Sequence, residues 1–208
     1  MTYKITAPSH IDTTINLPAS KSISNRALIL HALSGGKELP QNLSDCDDTE
    51  VIINALRDMP PTIDIKAAGT AMRFMTAYLS VTPGEHTITG TERMRHRPIR
   101  VLVDALRTLG ADIQYTDEEG YPPLHINGHS LEGGILTIPG DVSSQYISAL
   151  LMVGPTMKKG LTLRLSGDIV SRPYIDLTLH VMHEFGISVD WTNVDTISVE
   201  HQGIHEQP

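Results

Sequence analysis

A single cysteine, Cys46, leaves no room for an intrachain disulfide or a cysteine-based zinc cluster, and it suits a reducing compartment. Aromatic residues are scarce at 4% against 40% hydrophobic residues, so the core must be aliphatic, built from Leu, Ile, Val, Ala and Met. No apolar run approaches the roughly 20 residues of a membrane span, and the opening MTYKITAPSH has no apolar signal core. A soluble, cytoplasmic protein is expected. Positive charge is also in short supply: the formal net charge is −8, which argues against nonspecific nucleic-acid binding. Any anion site must therefore be a local gathering of basic residues in an acidic chain. The 208 residues can bury a substantial core as one larger domain or two small ones, and no Ser/Gly-rich or charged linker divides them.

What is present is an alternation of helical and strand-like patterns. The periodicity predicts helices near 21–33, 48–58, 70–80, 97–109, 143–153 and 173–185, with strands at HTIT, ADIQY, PLHIN, ILTIP, LTLRL, ISVDW and TISVE. A faint repeat runs through this order. VIINALRDMPPTIDI, VDALRTLGADIQY and LHVMHEFGISVDW each carry an apolar helix into a stop and then a strand. Upstream of each lies a helix opened by small polar residues: SKSISNRALILHALSGG, AGTAMRFMTAYLSVTPG and VSSQYISALLMVGP. Three such units would bring three helix N-termini into equivalent positions.

Those helix starts hold basic residues, which oppose the helix dipole at a cost of a few tenths to about one kcal/mol. On the first helix Lys21, Ser22, Asn25 and Arg26 fall within an arc of about 140°, with Ile23, Ala27 and Leu30 on the other side, placed to face the core. Gly69-Thr70 offers a close-approach glycine and a capping hydroxyl, with Arg73 one turn in. Ser143, Ser144 and Gln145 open a third helix. Arg97-Pro98 and Arg172-Pro173 place two more cations before helix-starting prolines, the second flanked by Ser171 and Tyr174. Taken singly, each feature reads equally as a capped surface helix with solvated charge. Five basic side chains at helix starts, among only 16 in the chain, instead suggest a polyanionic small molecule held where several helices converge. Other features carry less. RMRHRPIR looks like a nucleic-acid patch but sits in an acidic chain poor in aromatics. His180, His183 and Glu184 share a helix face without an evident third metal ligand. DCDDTE reads as a helix cap at Asp48 or Thr49, with Glu50 in the first turn.

Taken together and in order, LPASKSISNRALIL, AGTAMRF, RMRHRPIRVLVDALRTLGA, YPPL, VSSQYISALLM and GDIVSRPYIDLTL resemble the 5-enolpyruvylshikimate-3-phosphate synthase family, over Leu17 to Gly186. Lys-Ser-x-Ser-Asn-Arg and Ser-Arg-Pro-Tyr-Ile-Asp fit it better than the related UDP-N-acetylglucosamine enolpyruvyl transferases. The resemblance implies an α+β domain of three βαβαββ-type units with helices and mixed sheets, an inside-out α/β barrel. It implies transfer of the enolpyruvyl group of phosphoenolpyruvate to the 5-hydroxyl of shikimate 3-phosphate, releasing phosphate, with no metal or organic cofactor. By the same resemblance, Lys21 touches both substrates and helps proton transfer. Ser22, Arg26, Ser143, Ser144, Gln145, Ser171 and Tyr174 match the shikimate 3-phosphate site. Gly69, Arg97 and Gln145 match the phosphoenolpyruvate site, and Arg73 supports them.

Three departures from the family pattern stand out. Lys66-Ala67-Ala68 replaces the usual Gly-Asn and small residue before Gly69-Thr70. The first unit is short, with MPPTIDI in place of a longer strand-containing segment. The chain is also half the usual length, so the family's acid/base carboxylates belong to a second, C-terminal domain that would be its partner. Residues 1–19 resemble the strand that joins that second domain, and residues 20–208 form the shikimate 3-phosphate-binding domain. A monomer is expected. The alternative functions are a noncatalytic module that binds shikimate 3-phosphate and a relative of the UDP-N-acetylglucosamine enolpyruvyl transferases.

Overall fold

The computed structural model describes residues 2–205; Met1 and residues 206–208, which the expected domain boundaries include, lie outside the described residues. Helices α1 (Lys21–Ser34) and α2 (Asp47–Asp58) come first, close to the helices expected near 21–33 and 48–58. Next come β1 (Thr62–Asp64), α3 (Gly69–Val81), β2 (Gly84–Thr89), the single turn α4 (Glu92–Arg95), α5 (Arg100–Thr108), β3 (Asp112–Tyr115) and β4 (Leu124–Gly128). The last set is β5 (Gly134–Pro139), α6 (Ser144–Val153), β6 (Leu161–Ser166), α7 (Arg172–Glu184), β7 (Val189–Asn193) and β8 (Thr196–Val199).

Two four-stranded sheets result, with the same topology. β1 lies parallel to β2, β2 antiparallel to β4 and β4 antiparallel to β3; the second sheet repeats this as β5-β6-β8-β7. The second and third units therefore each read βαβαββ. The first is pared to α1 and α2, and the short β1 that follows them is the opening strand of the second unit. That is the shortening visible in MPPTIDI.

Alternation along the strands turns one face of each sheet inward: Ile63, Ile88, Ile113, Leu124 and Ile126 from one, Leu136, Ile138, Leu163, Val189 and Ile197 from the other. Helices α3 and α6 are buried nearly throughout, so they form the centre and the sheets the outside. The hydroxyls within α3 cause no conflict. Thr76 Oγ1 donates to the Met72 carbonyl at 2.7 Å and Ser80 Oγ to that of Thr76 at 2.7 Å. The end of β4 presses so close to α3 that a Cβ on Gly128 would overlap the Leu79 and Thr82 carbonyls.

Four local expectations need correction. The Arg97-Pro98 helix start is displaced: Arg97 closes α4 by donating its N–H to the Met94 carbonyl, and α5 begins only at Arg100. A residue before proline avoids the α region, which explains the break. The α2 cap is Cys46 rather than Asp48 or Thr49, and Thr49 is wholly buried. The cap of α3 is Ala68, with no side-chain bond, leaving the Thr70 hydroxyl for another use. On α1 Leu30 is buried and Ala27 half-buried, but Ile23 is 43% exposed while Asn25 and Arg26 are buried. The helix is wedged among α2, α3, α6 and α7, so part of its polar arc faces inward onto polar partners.

Before Gly69 the chain turns sharply at Lys66, whose φ of 55° is left-handed. A side chain there costs about 1–2 kcal/mol, a strain that glycine would avoid. Lys66 is held by Asp64, which accepts from its backbone N–H at 2.9 Å and from Nζ at 2.8 Å, both in solvent. Replacing it with glycine should raise stability by about 1 kcal/mol, seen as a melting temperature higher by roughly 2–4 °C. An unchanged or lower value would mean that the Asp64 contacts outweigh the strain. Residues 2–20 form neither helix nor strand and leave Tyr3, Ile5, Ile11, Ile15 and Leu17 exposed. No helix among the described residues is long and apolar enough to cross a membrane.

Candidate active site

Because α1, α3, α6 and α7 pack together with their N-termini at one end, four helix starts meet there, one more than the repeat alone predicts. They enclose a cavity of about 270 Å³ lined by Lys21, Ser22, Asn25, Arg26, Thr70, Ser143, Ser144, Gln145, Ser171 and Tyr174. All eight residues matched to shikimate 3-phosphate are in this set. The lining carries two cations and no carboxylate in a chain of net charge −8. Free backbone N–H groups at the helix starts add to the positive potential.

Each wall has its own construction. On α1, Ser20 caps the helix by accepting from the Ile23 N–H, which leaves Ser22 free. Lys21 stands half exposed with Nζ 3.5 Å from Asp48 Oδ2 at the start of α2. That carboxylate, read from sequence only as a possible cap, steadies the lysine. On α6, Ser143 is the cap, accepting from the Gln145 N–H at 3.3 Å. Gln145 Nε2 reaches across to Thr70 Oγ1 at 3.1 Å, tying α6 to α3. Ser171, at the start of α7, has a left-handed φ of 58° and makes no side-chain cap bond. Among the described residues the hydroxyls of Ser22, Ser144 and Ser171 have no hydrogen-bond partner. They remain available to a ligand.

Arg26 differs from the others. It is only 3% exposed, and its guanidinium is committed inside the protein. Nε donates to Thr178 Oγ1 at 2.7 Å, Nη1 to the Ser22 carbonyl at 2.9 Å and Nη2 to Ser148 Oγ at 2.9 Å. The same group lies over the Phe74 ring, 5.3 Å from its centroid. Burial pushes its pKa down to about 10, still far enough above neutrality to keep it charged. It forms the floor of the cavity and also ties together α1, α6 and α7.

Beside this cavity lies a second, of about 400 Å³, lined by Ala67, Thr91, Arg93, Met94 and Arg97. Gly69 sits between the two. A Cβ there would overlap the Arg97 guanidinium and come within 3.0 Å of Arg73 Nη1. The glycine therefore lets Arg97 lie flat against the start of α3, although Arg97 starts no helix itself. Arg73 is a buried support: Nη1 donates to the Gly69 carbonyl at 2.9 Å, and the guanidinium lies over the Tyr146 ring. Burial, with Arg97 as a lesser contributor, lowers its pKa.

The fifth cation of the sequence reading is elsewhere. Arg172 opens α7 but turns away to stack on Trp191, 3.9 Å from the ring centroid, and donates to the Val194 carbonyl. Asn25, Thr70, Ser148 and Thr178 were not among the expected site residues. Asn25 and Thr70 had a visible signal in their positions at helix starts. Ser148 and Thr178 show only as hydroxyls interrupting apolar helix faces.

The EPSP synthase (3-phosphoshikimate 1-carboxyvinyltransferase) family model matches residues 5–63 and 59–207. The chain belongs to this family. The two matched stretches meet in the turn from α2 into β1, where the first unit is short. A 3-phosphoshikimate 1-carboxyvinyltransferase of Bacteroides fragilis is 64% identical over 208 residues, covering 100% of this chain and 51% of that protein. One from Photobacterium damsela subsp. piscicida is 41% identical over 224 residues, covering 95% and 53%. The solved EPSP synthase from Acinetobacter baumannii shares the fold, with a TM-score of 0.76 at 24% identity over 92% of this chain and 48% of that one. The chain thus spans about half the length of the family members it matches.

Proposed function

We propose that this chain is the shikimate 3-phosphate-holding half of a 3-phosphoshikimate 1-carboxyvinyltransferase. The observation that carries the reading is the gathering of all eight expected ligand residues in one cationic, carboxylate-free cavity at four helix starts. Phosphate and carboxylate on the substrate would be taken by Lys21, the free hydroxyls of Ser22, Ser144 and Ser171, and the N–H groups of the helix starts, with Tyr174 at the rim. Ser143 holds the start of α6, and Arg26 supplies positive charge from below. Phosphoenolpyruvate would lie next to it, against Gly69 and Arg97, with Gln145 and Lys21 between the two substrates.

In the reaction, a proton adds to the methylene carbon of phosphoenolpyruvate and the 5-hydroxyl attacks. The tetrahedral intermediate then loses phosphate and returns a proton. Lys21 is this chain's own candidate for holding one of those protons, and the remaining groups orient the two substrates and stabilise their charge. Neither cavity is lined by a carboxylate, so the acid/base carboxylates would come from the other half of the enzyme. Residues 1–19 would pair with that half, and residues 20–208 form the domain that binds shikimate 3-phosphate. The same absence favours a second reading for the chain alone, as a module that binds without turnover.

Phosphate release tests the assignment. The 208-residue chain with both substrates should release none, and mixing it with the C-terminal half of the Bacteroides fragilis relative should restore turnover. Turnover by the chain alone would overturn the half-site reading. Silence from a mixture shown to associate would leave the binding-module reading standing.

A further inference from the structure

The four arginines between residues 93 and 100 fall into two kinds. Arg95 and Arg100 point outward and are neutralised: Arg95 Nη2 lies 3.1 Å from Asp117 Oδ2, and Arg100 Nη1 lies 2.6 Å from Glu119 Oε1. Arg93 and Arg97 line the 400 Å³ cavity, and among the described residues neither has an ion pair or a side-chain hydrogen bond. They are four residues apart on one side of the turn around α4. Arg73 adds a third positive charge behind Gly69, with a buried Nε that has no partner. No carboxylate lines the cavity to offset them. An acidic chain has thus left two exposed guanidinium groups unpaired around one hollow while pairing the two beside them.

We propose that Arg93 is a second anion-binding residue of this cavity, acting with Arg97 on the phosphate and carboxylate of phosphoenolpyruvate. This rests on the reading that phosphoenolpyruvate lies against Gly69 and Arg97. A ligand with two anionic groups gives each guanidinium its own partner, whereas inorganic phosphate must share one anionic centre between them. Arg93 therefore contributes to selecting a doubly anionic ligand over inorganic phosphate. Its exposure also lets it meet the ligand at the mouth of the hollow.

The test is a titration of the 208-residue chain, with shikimate 3-phosphate present, followed through the arginine Nε–H signals. Phosphoenolpyruvate should shift the signals of Arg93 and Arg97 together. Arg93→Gln should weaken phosphoenolpyruvate binding about tenfold, the size of one charge-assisted contact. Arg93→Lys should recover part of that loss, and the affinities for shikimate 3-phosphate and inorganic phosphate should hardly change. Undiminished phosphoenolpyruvate binding by Arg93→Gln, or a chain that takes shikimate 3-phosphate but no phosphoenolpyruvate, overturns this inference alone. A chain that binds neither substrate overturns the proposed function, and this inference with it.

Discussion

Arg26→Ala should lower the stability of the chain by about 3 kcal/mol, a fall in melting temperature of roughly 6–12 °C. The guanidinium joins three helices through Thr178, Ser148 and the Ser22 carbonyl, and it lies on Phe74. Truncation removes bonds to a charged donor, each worth more than a neutral one, and leaves a void beneath the cavity. Ser148 and Thr178 keep their mutual bond of 2.7 Å, which limits the loss. Arg26→Lys should recover little, because an ammonium cannot reproduce the fork that meets three partners at once. Thermal or urea unfolding of the two variants measures this. A melting temperature within a degree or two of the parent would show that Arg26 acts only as a surface ligand.

The second large effect falls on binding. Lys21→Ala should weaken shikimate 3-phosphate by about 10- to 100-fold, the loss of one charged contact. Stability should hardly move, because the Lys21–Asp48 pair is half exposed and such pairs are worth about 0–1 kcal/mol. The two basic residues of one helix start are thus separable. One holds the fold together and the other holds the ligand. Calorimetry on the variant gives the affinity, and an affinity equal to the parent's would remove Lys21 from the site.

Much of this arrangement was legible in the sequence. The helix periods predicted the strand and helix order, because apolar spacing is set locally. The small polar openings of α1, α3 and α6 identified the end at which those helices meet. The short MPPTIDI segment marked the first unit as reduced, but not that it lacks a sheet of its own. What escaped the reading depends on tertiary partners. The inward turn of Asn25 and Arg26 needs Thr49, Thr178 and Ser148, which lie 24, 152 and 122 residues away in sequence. The direction taken by Arg172 needs Trp191, on a strand of the same unit. Proline position misplaced the start of α5, because the ring fixes its own φ but not whether the next residues are helical. The Asp48 contact to Lys21 joins two helix starts that the sequence treats separately.

The cavity at the four helix starts is expected to hold shikimate 3-phosphate. The most direct test is an NMR titration of the ¹⁵N-labelled 208-residue chain with that compound. Saturable shifts should concentrate at the backbone amides of Lys21, Ser22, Ser144, Gln145 and Ser171. No saturable shift, or shifts centred instead on a separate hollow lined by Ser34–Glu38 and Ile204, would contradict it.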